Sequence, residues 1–402
     1  MRGARTGERG AALLIVMVAV AVLTALAADL AYESQVSLRI AANARNDLQA
    51  AYLARSGVAL SRLVLSFQQE LDAAAPTLPG QVVVRPQLWK LAPVTSELTD
   101  ALFGGATRIR PEEGAAPAGP AAGTFQVDLD DEATKVNFQL DALGQSGLLA
   151  GQVQAIWQLI CQPGWDPLFD REDANGVRVS RPDLLINLRD WVDVDPITSA
   201  LAASFAPSGC VMATPQSPFE AGYGDENFPY DRGDDRYRAK NARMDSLDEL
   251  YLVSGIGEAF MAAFRDQITV YLPRDAQRNV NDTNPVRLYT LARMMAAPPD
   301  QPRLADPAFL ETLVKLVQVR TLGGVLALTP SDFGTLVAEA GVGVDQNLLA
   351  GPNSPFTDRS TVFRLRSAGR AGDVQKTLDV VVRLEKTAQG TAPGRILHWR
   401  EE

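Results

Sequence analysis

An uncharged apolar segment close to the N-terminus constrains this chain more than any other feature. Residues 11–28, AALLIVMVAVAVLTALAA, contain one polar residue, Thr24, and no charge. As an α-helix the segment would be about 27 Å long, enough to cross the apolar core of a bilayer. Arg2, Arg5 and Arg9 precede it, and a basic flank of this kind stays on the cytoplasmic side of a membrane. The sequence therefore predicts that the body of the chain is exported.

Three interpretations of this segment are open from the residues. It could be a cleaved secretory signal with "ALA" at 25–27 as the cleavage site, or an uncleaved anchor with no further role. The third interpretation considers residues 32–74, which contain no proline and a single glycine, Gly57. Apolar or small side chains recur there at steps of three or four, as on one face of an amphipathic helix. A discarded signal is not expected to continue into one long helix, half apolar and half amphipathic.

The charge and residue content exclude several classes of function. The 402-residue chain has a formal net charge of −10; residues 1–10 contribute +2, so the rest carries −12. Because affinity for nucleic acid depends on Lys and Arg neutralising phosphates, such a body argues against a nucleic-acid partner and suits cations. With His398 as its single histidine, the chain has no Ser–His–Asp triad or HExxH motif, and it has no phosphate-binding loop. We expect no enzyme activity.

Residues 247–264, LDELYLVSGIGEAFMAAF, match a helix-hairpin-helix pattern, in which a Gly-Ile-Gly turn offers backbone N–H groups to a DNA phosphate. That mechanism needs basic side chains beside the turn, but five acidic residues surround it and Arg265 is the one base. We expect a structural turn at Gly255 and Gly257, with the apolar residues building a core. An exported DNA-binding protein remains an alternative hypothesis.

The chain has two cysteines, Cys161 and Cys210. In an exported protein they would most simply form one disulfide, closing a loop of about 50 residues and contributing roughly 3–4 kcal/mol. In a cytosolic protein they would be two buried thiols. The interpretation of the N-terminus therefore decides which state to expect.

The hydropathy pattern along the chain predicts an α+β fold, with a long N-terminal helix packed on an antiparallel sheet and a large, mainly helical domain inserted. Alternating residues near Phe125 predict a strand, and three alternating runs after residue 360 predict an antiparallel meander. The expected organisation is a leader at 1–10, a helix at 11–75 with 11–28 in the membrane, the first part of the sheet domain at 76–134, the insert at 135–300 and the second part of the sheet domain at 301–402.

A basic leader ending in glycine, followed by a long helix with an apolar first half, resembles a type IV pilin-like precursor. Gly10 matches the residue before the leader-peptide cut, and Ala11 would become the methylated N-terminus. Most members of that class have Glu as the fifth mature residue, whereas this chain has Ile15. In that respect, and in YLARSGVALSRL (52–63), KVNFQLDAL (135–143), LINLRDWVDVD (185–195) and RNVNDTNP (278–285), the chain resembles the K-type minor pseudopilin of type II secretion systems.

The resemblance implies a function and a set of partners. The subunit would be anchored in the bacterial inner membrane by one span, with a periplasmic C-terminal domain. A prepilin peptidase would process it, and it would join I- and J-type minor pseudopilins, together with the H-type and the major pseudopilin, at the tip of the pseudopilus that exports folded proteins. The rival hypotheses are the DNA-binding protein and a periplasmic protein with a cleaved signal.

Two acidic loops are the best candidates for a ligand site. Ca²⁺ prefers six to eight oxygen ligands, and clustered Asp in Gly-containing loops supplies them. DREDANGVRVSRPD (170–183) nearly reads as an EF-hand loop, but Arg171 and Pro182 occupy ligand positions. EAGYGDENFPYDRGDD (220–235) follows Cys210. K-type pseudopilins bind calcium in that region, so the resemblance implies a calcium site here. The expected ligands, with a solvated acidic surface as the alternative, are Asp225, Glu226, Asp231, Asp234 and Asp235, together with Asp193 and Asp195.

Overall fold

The structure is a computed structural model. It describes residues 7–74, 85–91, 93–103, 123–141, 147–169, 172, 178–205, 210, 217–231, 236–274, 276–349, 354–387, 390–391 and 394–402. Statements about structure below refer to these residues.

Ten α-helices occur in the described part of the chain. In chain order they are α1 (Gly7–Ala74), α2 (Leu88–Leu91), α3 (Ser96–Phe103), α4 (Gly147–Ile160), α5 (Asp166–Phe169), α6 (Arg181–Asp190), α7 (Glu258–Phe264), α8 (Pro285–Met295), α9 (Pro307–Arg320) and α10 (Pro330–Glu339). Short 3₁₀ turns lie between them at Glu132–Thr134, Pro163–Trp165, Ala203–Phe205, Leu247–Leu252, Arg265–Gln267, Pro298–Ala305 and Gln346–Leu348.

The strands of the described residues form one larger sheet and four two-stranded ladders. They are β1 (Val94–Thr95), β2 (Gly123–Asp131), β3 (Val136–Asn137), β4 (Ile197–Leu201), β5 (Phe219–Asp225), β6 (Ile268–Thr269), β7 (Arg278–Asn279), β8 (Phe356–Thr357), β9 (Val362–Ala371), β10 (Val374–Arg383), β11 (Lys386–Thr387), β12 (Gly390–Thr391) and β13 (Arg395–Glu401). The larger sheet has the order β1-β2-β9-β10-β13, and all its neighbours are antiparallel. The ladders pair β3 with β6, β4 with β5, β7 with β8 and β11 with β12.

Helix α1 packs its second half on one face of this sheet. Ala50, Ala54, Val58 and Leu65 are buried against it, and their spacing of four, four and seven places them on one side of a helix. Two of the four are alanines, which lets the helix axis lie close to the strands. The expected long helix packed on an antiparallel sheet is therefore confirmed.

The C-terminal meander also forms as the alternating sequence predicts. Strands β9 and β10 pair over their full length and β13 pairs with β10. The β9–β10 connection is two residues long and begins at Gly372, whose φ is +56°. A positive φ is typical of a tight hairpin turn that matches strand twist, and glycine adopts it without a steric penalty.

The helical insert begins and ends at neighbouring points of the sheet. β2 leaves the sheet at Asp131 and β9 enters it at Val362, and Asp131 lies opposite Phe363 in the register. Between these points the chain builds a second hydrophobic core, which α4, α6, α7, α8, α9 and α10 share. The insert is thus a domain placed between two adjacent strands.

The second boundary of the insert differs from the expected position at residue 301. Phe309 and Leu313 of α9, and Phe333 and Leu336 of α10, are buried in the helical core, and both helices contact α8. Their apolar faces are satisfied by neighbouring helices, so the sheet resumes at Val362. Sequence periodicity identified these helices but did not indicate what they pack against.

Candidate functional site

The first half of α1 is apolar and makes few contacts with the rest of the chain. Leu13, Leu14, Ile15 and Val16 are all exposed, Ile15 by 67%. Among the described residues one helix is long and apolar enough to cross a membrane, at Ala12–Ala73, and its most apolar 18-residue window has a mean hydropathy of 2.6. Gly10 lies inside the helix, but side chains before residue 12 are outside the description.

The insert lies at the end of the sheet that is remote from this apolar half. Gly372, just after the C-terminal end of β9, approaches Asn46 of α1. Phe363, at the N-terminal end of β9, and Asp131 opposite it line a small cavity with Gln68, which lies 22 residues farther along α1 than Asn46. Strand β9 therefore runs antiparallel to α1. Because the insert joins the sheet beside the C-terminal turns of α1, it occupies the end farthest from residues 12–30.

A disulfide joins Cys161 to Cys210, with 5.2 Å between their Cα atoms and a sequence separation of 49. It ties the end of α4 to the segment between β4 and β5, as the sequence led us to expect for an exported protein. Arg293 of α8 is buried beside it and donates from Nη2 to Cys161 Sγ at 3.4 Å. The crosslink closes the segment 161–210, which contains the first acidic loop, 170–183, and the carboxylates of residues 190–195.

Helix α6 ends in a group of carboxylates. A capping box at Ser180 and Asp183 begins the helix. The last helical residue, Asp190, accepts the hydroxyl of Thr198 at 2.7 Å and the backbone N–H of Ser199 at 2.8 Å, which fixes β4 against the helix end. Asp193 contacts Arg189, with 3.3 Å between Arg189 Nε and Asp193 Oδ2.

The facing strand β5 brings a second acidic group to the same place. Glu226, just after β5, is 1% exposed, and its Oε1 accepts Asn241 Nδ2 at 2.6 Å. Its Oε2 has no hydrogen-bond partner, and neither has Asp193 Oδ1. Asn241 has a φ of +52° and leaves its own Oδ1 unpartnered. Three buried oxygen acceptors in this region are thus without a donor.

These carboxylates interact electrostatically. Burial raises the pKa of Asp193 to about 7, against the attraction of Arg189, and the charges of Asp190, Asp195 and Glu226 raise it further. Burial also raises the pKa of Glu226, with Asp190, Asp195 and Asp225 acting in the same direction. Unlike-charged partners are too few to offset this repulsion, so the region favours the arrival of a proton or a cation.

Comparison with solved structures finds the same architecture. The chain matches one in "The Crystal Structure of the GspK-GspI-GspJ complex from enterotoxigenic Escherichia coli Type 2 Secretion System" with a TM-score of 0.51 and 18% sequence identity. The match covers 91% of this chain and 99% of that chain. This chain has a pilin-like α+β fold. No family model matches it, and no curated protein matches it.

Within this pilin-like fold the expected calcium ligands divide into three groups. Asp193, Asp195 and Glu226 come together beyond the C-terminal end of α6. Asp225 turns its Oδ1 to the backbone and side-chain N–H groups of Asn227, both at 2.9 Å, and Asp231 is exposed beside Arg236 at 3.7 Å. Asp234 and Asp235 lie outside the described residues, as does most of the EF-hand-like loop, 170–171 and 173–177.

The donor set fits calcium in type, since it consists of carboxylate and amide oxygens. In the described part of the chain, however, no group of three or more His, Cys, Asp or Glu side chains is drawn together closely enough to hold a metal ion. A bound ion would therefore have to draw the carboxylates inward from their present positions.

Sequence reasoning missed two members of this group, Asp190 and Asn241. Asp190 belongs to the helix α6, and its spacing to Asp193 and Asp195 in DWVDVD could have indicated a shared face. Asn241 is 15 residues from its partner Glu226, and the sequence carries no signal for that contact.

The helix-hairpin-helix-like segment is a structural turn. Gly255 has a φ of +95° and packs against Val179, while Phe260 and Phe264 of α7 are buried in the helical core. Arg265, the base nearest the turn, is paired with Asp248 at 2.7 Å. That guanidinium is therefore already engaged by a carboxylate.

Proposed function

We propose that this chain is a minor pseudopilin of the K type in a type II protein secretion system, located at the tip of the pseudopilus. The observation that carries the proposal is the fold match, taken together with the architecture of this chain, in which an apolar helix continues into a sheet-packed helix and a large helical domain is inserted between two adjacent strands. A chain of the GspK-GspI-GspJ complex has this fold over 91% of the present chain. The role is structural, and the partners are the I- and J-type minor pseudopilins.

The N-terminus supports processing as a prepilin. Gly10 supplies the small residue before the cut, Ala11 becomes the methylated N-terminus, and α1 then anchors the subunit in the inner membrane with its domain in the periplasm. At Ile15, where most members of the class have Glu, the side chain is apolar. A carboxylate at this position is costly inside a bilayer. In the members that have Glu, it would pair with the terminal amine of the subunit above. A subunit at the tip has none above it.

The position of the insert supports the same placement. The insert extends the subunit at the end remote from the apolar half of α1, so its bulk would lie beyond the sheet domain, away from the membrane. A domain of that size would obstruct a further subunit stacked on top. At the tip it obstructs nothing, which also suits a subunit that initiates assembly.

The mature N-terminus tests the proposal. Mass spectrometry of the chain expressed with its prepilin peptidase should give a product that begins at methylated Ala11. Gly10→Leu should leave an uncleaved precursor, and Gly7→Leu, three residues earlier in the leader, should be processed normally. A product that begins near residue 28 would establish a secretory signal, and normal processing of Gly10→Leu would overturn the proposal.

We further propose that the acidic region, which consists of Asp190, Asp193, Asp195 and Glu226, binds Ca²⁺. These four carboxylates would hold the ion together with oxygens of the 227–235 loop. The unpartnered oxygens and the raised pKa values described above support this proposal, because a divalent cation would relieve both the repulsion and the missing hydrogen bonds. The ion would tie the end of α6 to the end of β5.

A further inference from the structure

A small cavity lies inside the helical insert, away from the acidic region. It is bordered by β3, α4 and the segment that leads into β7, and six of its lining residues are Asn137, Gln152, Leu272, Arg278, Met294 and Pro355. Asn137, Leu272, Arg278 and Met294 are buried, whereas Gln152 and Pro355 are half-buried. The cavity thus has a buried floor and a rim that reaches the surface.

Arg278 is the unusual group in this floor. It is 7% exposed, and it donates from Nε to the carbonyl oxygen of Thr134 at 3.1 Å and from Nη1 to Met294 Sδ at 3.1 Å. No ion pair joins it to a carboxylate among the described residues, and burial lowers its pKa to about 9. A buried charge is costly unless it is paired. Because Arg278 has no anionic partner among the described residues, an anion that bound beside it would lower this cost.

Two amides beside Arg278 also lack partners. Asn137 is 7% exposed and uses its Oδ1 to accept the backbone N–H of Gln139 at 3.1 Å, but its Nδ2 donates to nothing. The Nε2 and Oε1 atoms of Gln152, on α4, are shielded from solvent and are likewise without a hydrogen bond. Each buried hydrogen-bond donor that has no acceptor costs about 1–3 kcal/mol of stability.

The charges around the cavity complete the pattern. No Asp or Glu is among the described residues that line it. Lys135 lines it too, but its ammonium is engaged by Asp130 at 2.9 Å and by Glu132 at 2.6 Å. The cavity is therefore lined by a guanidinium that has no anionic partner and by two amide N–H₂ groups that have no acceptor, and these groups match an anion that accepts several hydrogen bonds.

We propose that this cavity binds a carboxylate group, with Arg278, Asn137 and Gln152 as its donors. The cavity volume is about 40 Å³, which is room for roughly three water-sized atoms. A planar carboxylate has three heavy atoms and accepts two parallel hydrogen bonds from a guanidinium. The carboxylate comes from a free small acid or from the C-terminus of a peptide, because the half-buried rim leaves room for a tail outside.

The experiment measures the binding of sodium acetate to the full chain in a nonionic detergent, by calorimetry and by the shift in melting temperature at constant ionic strength. Acetamide and sodium chloride are the ligand controls. Acetate should bind and raise the melting temperature, and the two controls should not. Gln152→Leu should weaken acetate binding by roughly tenfold, since a hydrogen bond to a charged group is lost.

Gln154→Leu is the matched control, because Gln154 lies on the same helix but does not line the cavity; it should bind acetate as the parent does. Arg278→Met should abolish binding, and Gln152→Leu keeps the proposal testable where that variant does not fold. N-acetyl-alanyl-alanine and its C-terminal amide separate the two sources. Tighter binding of the free-acid dipeptide than of acetate identifies a peptide terminus, and no gain identifies a small acid.

Two results would overturn the proposal. One is the absence of acetate binding, or equal stabilisation by acetate and acetamide, since either would show that the cavity does not select an anion. The other is unchanged acetate binding in both Gln152→Leu and a folded Arg278→Met variant.

Discussion

Ser367 of β9 donates a hydrogen bond from its Oγ to the carbonyl oxygen of Ala54 in α1, with 2.8 Å between the two oxygens. The contact joins residues 313 positions apart and lies where the long helix comes close to the sheet. Gly57, the next residue of α1 on this side, faces the same serine, and a Cβ at that position would lie 2.7 Å from Val127 Cγ2. The helix-to-sheet packing thus depends on a residue without a side chain.

Gly57→Val should lower the free energy of unfolding by about 2 kcal/mol, because the added methyl groups must displace Val127, Phe125 or the helix itself. Denaturant unfolding of the full chain in detergent measures the change. Gly164→Val is the control, since a Cβ at Gly164 meets nothing within 4 Å. Equal effects of the two substitutions would show that α1 has room to adjust on the sheet.

A buried ion pair connects the sheet to the start of the insert. Arg364 Nε and Glu132 Oε1 are 2.9 Å apart, and their side chains are 4% and 0% exposed. Burial alone would raise the pKa of Glu132, but the charges of Lys135 and Arg364 outweigh it and hold that pKa below its usual value. The carboxylate is therefore ionised inside the protein at neutral pH.

Arg364→Met should cost about 3 kcal/mol of unfolding free energy, since it leaves the buried Glu132 with Lys135 as its remaining close cation. Adding Glu132→Gln to that variant should restore part of the loss. The exposed pair of Lys315 and Glu311, 2.6 Å apart, provides the control, and Lys315→Met should leave stability unchanged. A double variant no more stable than Arg364→Met would contradict this account.

The pH dependence of the free energy of unfolding should reveal the titration of the Asp131 carboxyl group. Burial raises its pKa to about 6, in spite of hydrogen bonds from Ser360, Asn279 and the backbone of Ala133. A raised folded-state pKa means that the folded protein holds the proton more tightly than the unfolded chain. The stability contributed by this proton is fully present below about pH 4 and is lost as the pH rises through 6.

Asp131→Asn removes this titration. The stability of the variant relative to the parent should therefore increase by roughly 2 kcal/mol between pH 4 and pH 7. Urea unfolding of both proteins at the two pH values measures it, and taking the difference cancels the titration of all other groups. A difference that stays constant with pH would show that Asp131 is ionised throughout.

Calcium should stabilise the protein through the acidic region. We expect EGTA to lower the melting temperature and Ca²⁺ to restore it, because the ion offsets repulsion among Asp190, Asp193 and Glu226. Glu226→Gln should abolish the response to Ca²⁺. Glu220→Gln, which removes an exposed carboxylate from β5, should respond as the parent does.

Asp193→Asn and Glu226→Gln together separate ion binding from simple charge repulsion. In EGTA, Asp193→Asn should be more stable than the parent, because it removes a buried charge that its neighbours repel. If Ca²⁺ raises the melting temperature of the parent and of Glu226→Gln equally, the proposed ligand set is wrong.

Much of the fold was predictable because it depends on local patterns. The apolar run and a three-or-four spacing between residues 53 and 71 predicted α1, since a helix repeats its face over a few residues. The predicted face was partly wrong, because Phe67 and Leu71 are exposed and the sheet is covered by Ala54, Val58 and Leu65 instead. Alternation in β9 and β10, with Gly372 between them, identified the meander in the same way. The assignment of α9 and α10 failed because a helix pattern records an apolar face but not the partner that covers it.

The candidate sites show the same division. Asp193 and Asp195 could be predicted to share a site because they are neighbours along the chain. The two cysteines could be predicted to pair because the sequence has no others. Sequence spacing could not bring Asp190 to Glu226 or Asn241 to the same region, because those contacts require β4 and β5 to fold back beside α6. The cavity at Arg278 gave no sequence signal, since its donors come from three separate segments.

By itself, the sequence determined the membrane-compatible helix, the order of strands and helices, and the acidic character of the body, because hydropathy and charge are properties of short stretches of chain. The tertiary structure decided where the insert lies, which acids face one another, and which polar atoms of the described residues are left without partners. Those outcomes depend on burial and on contacts between distant residues. Burial changes the energy of a charge far more than any neighbour in the sequence does.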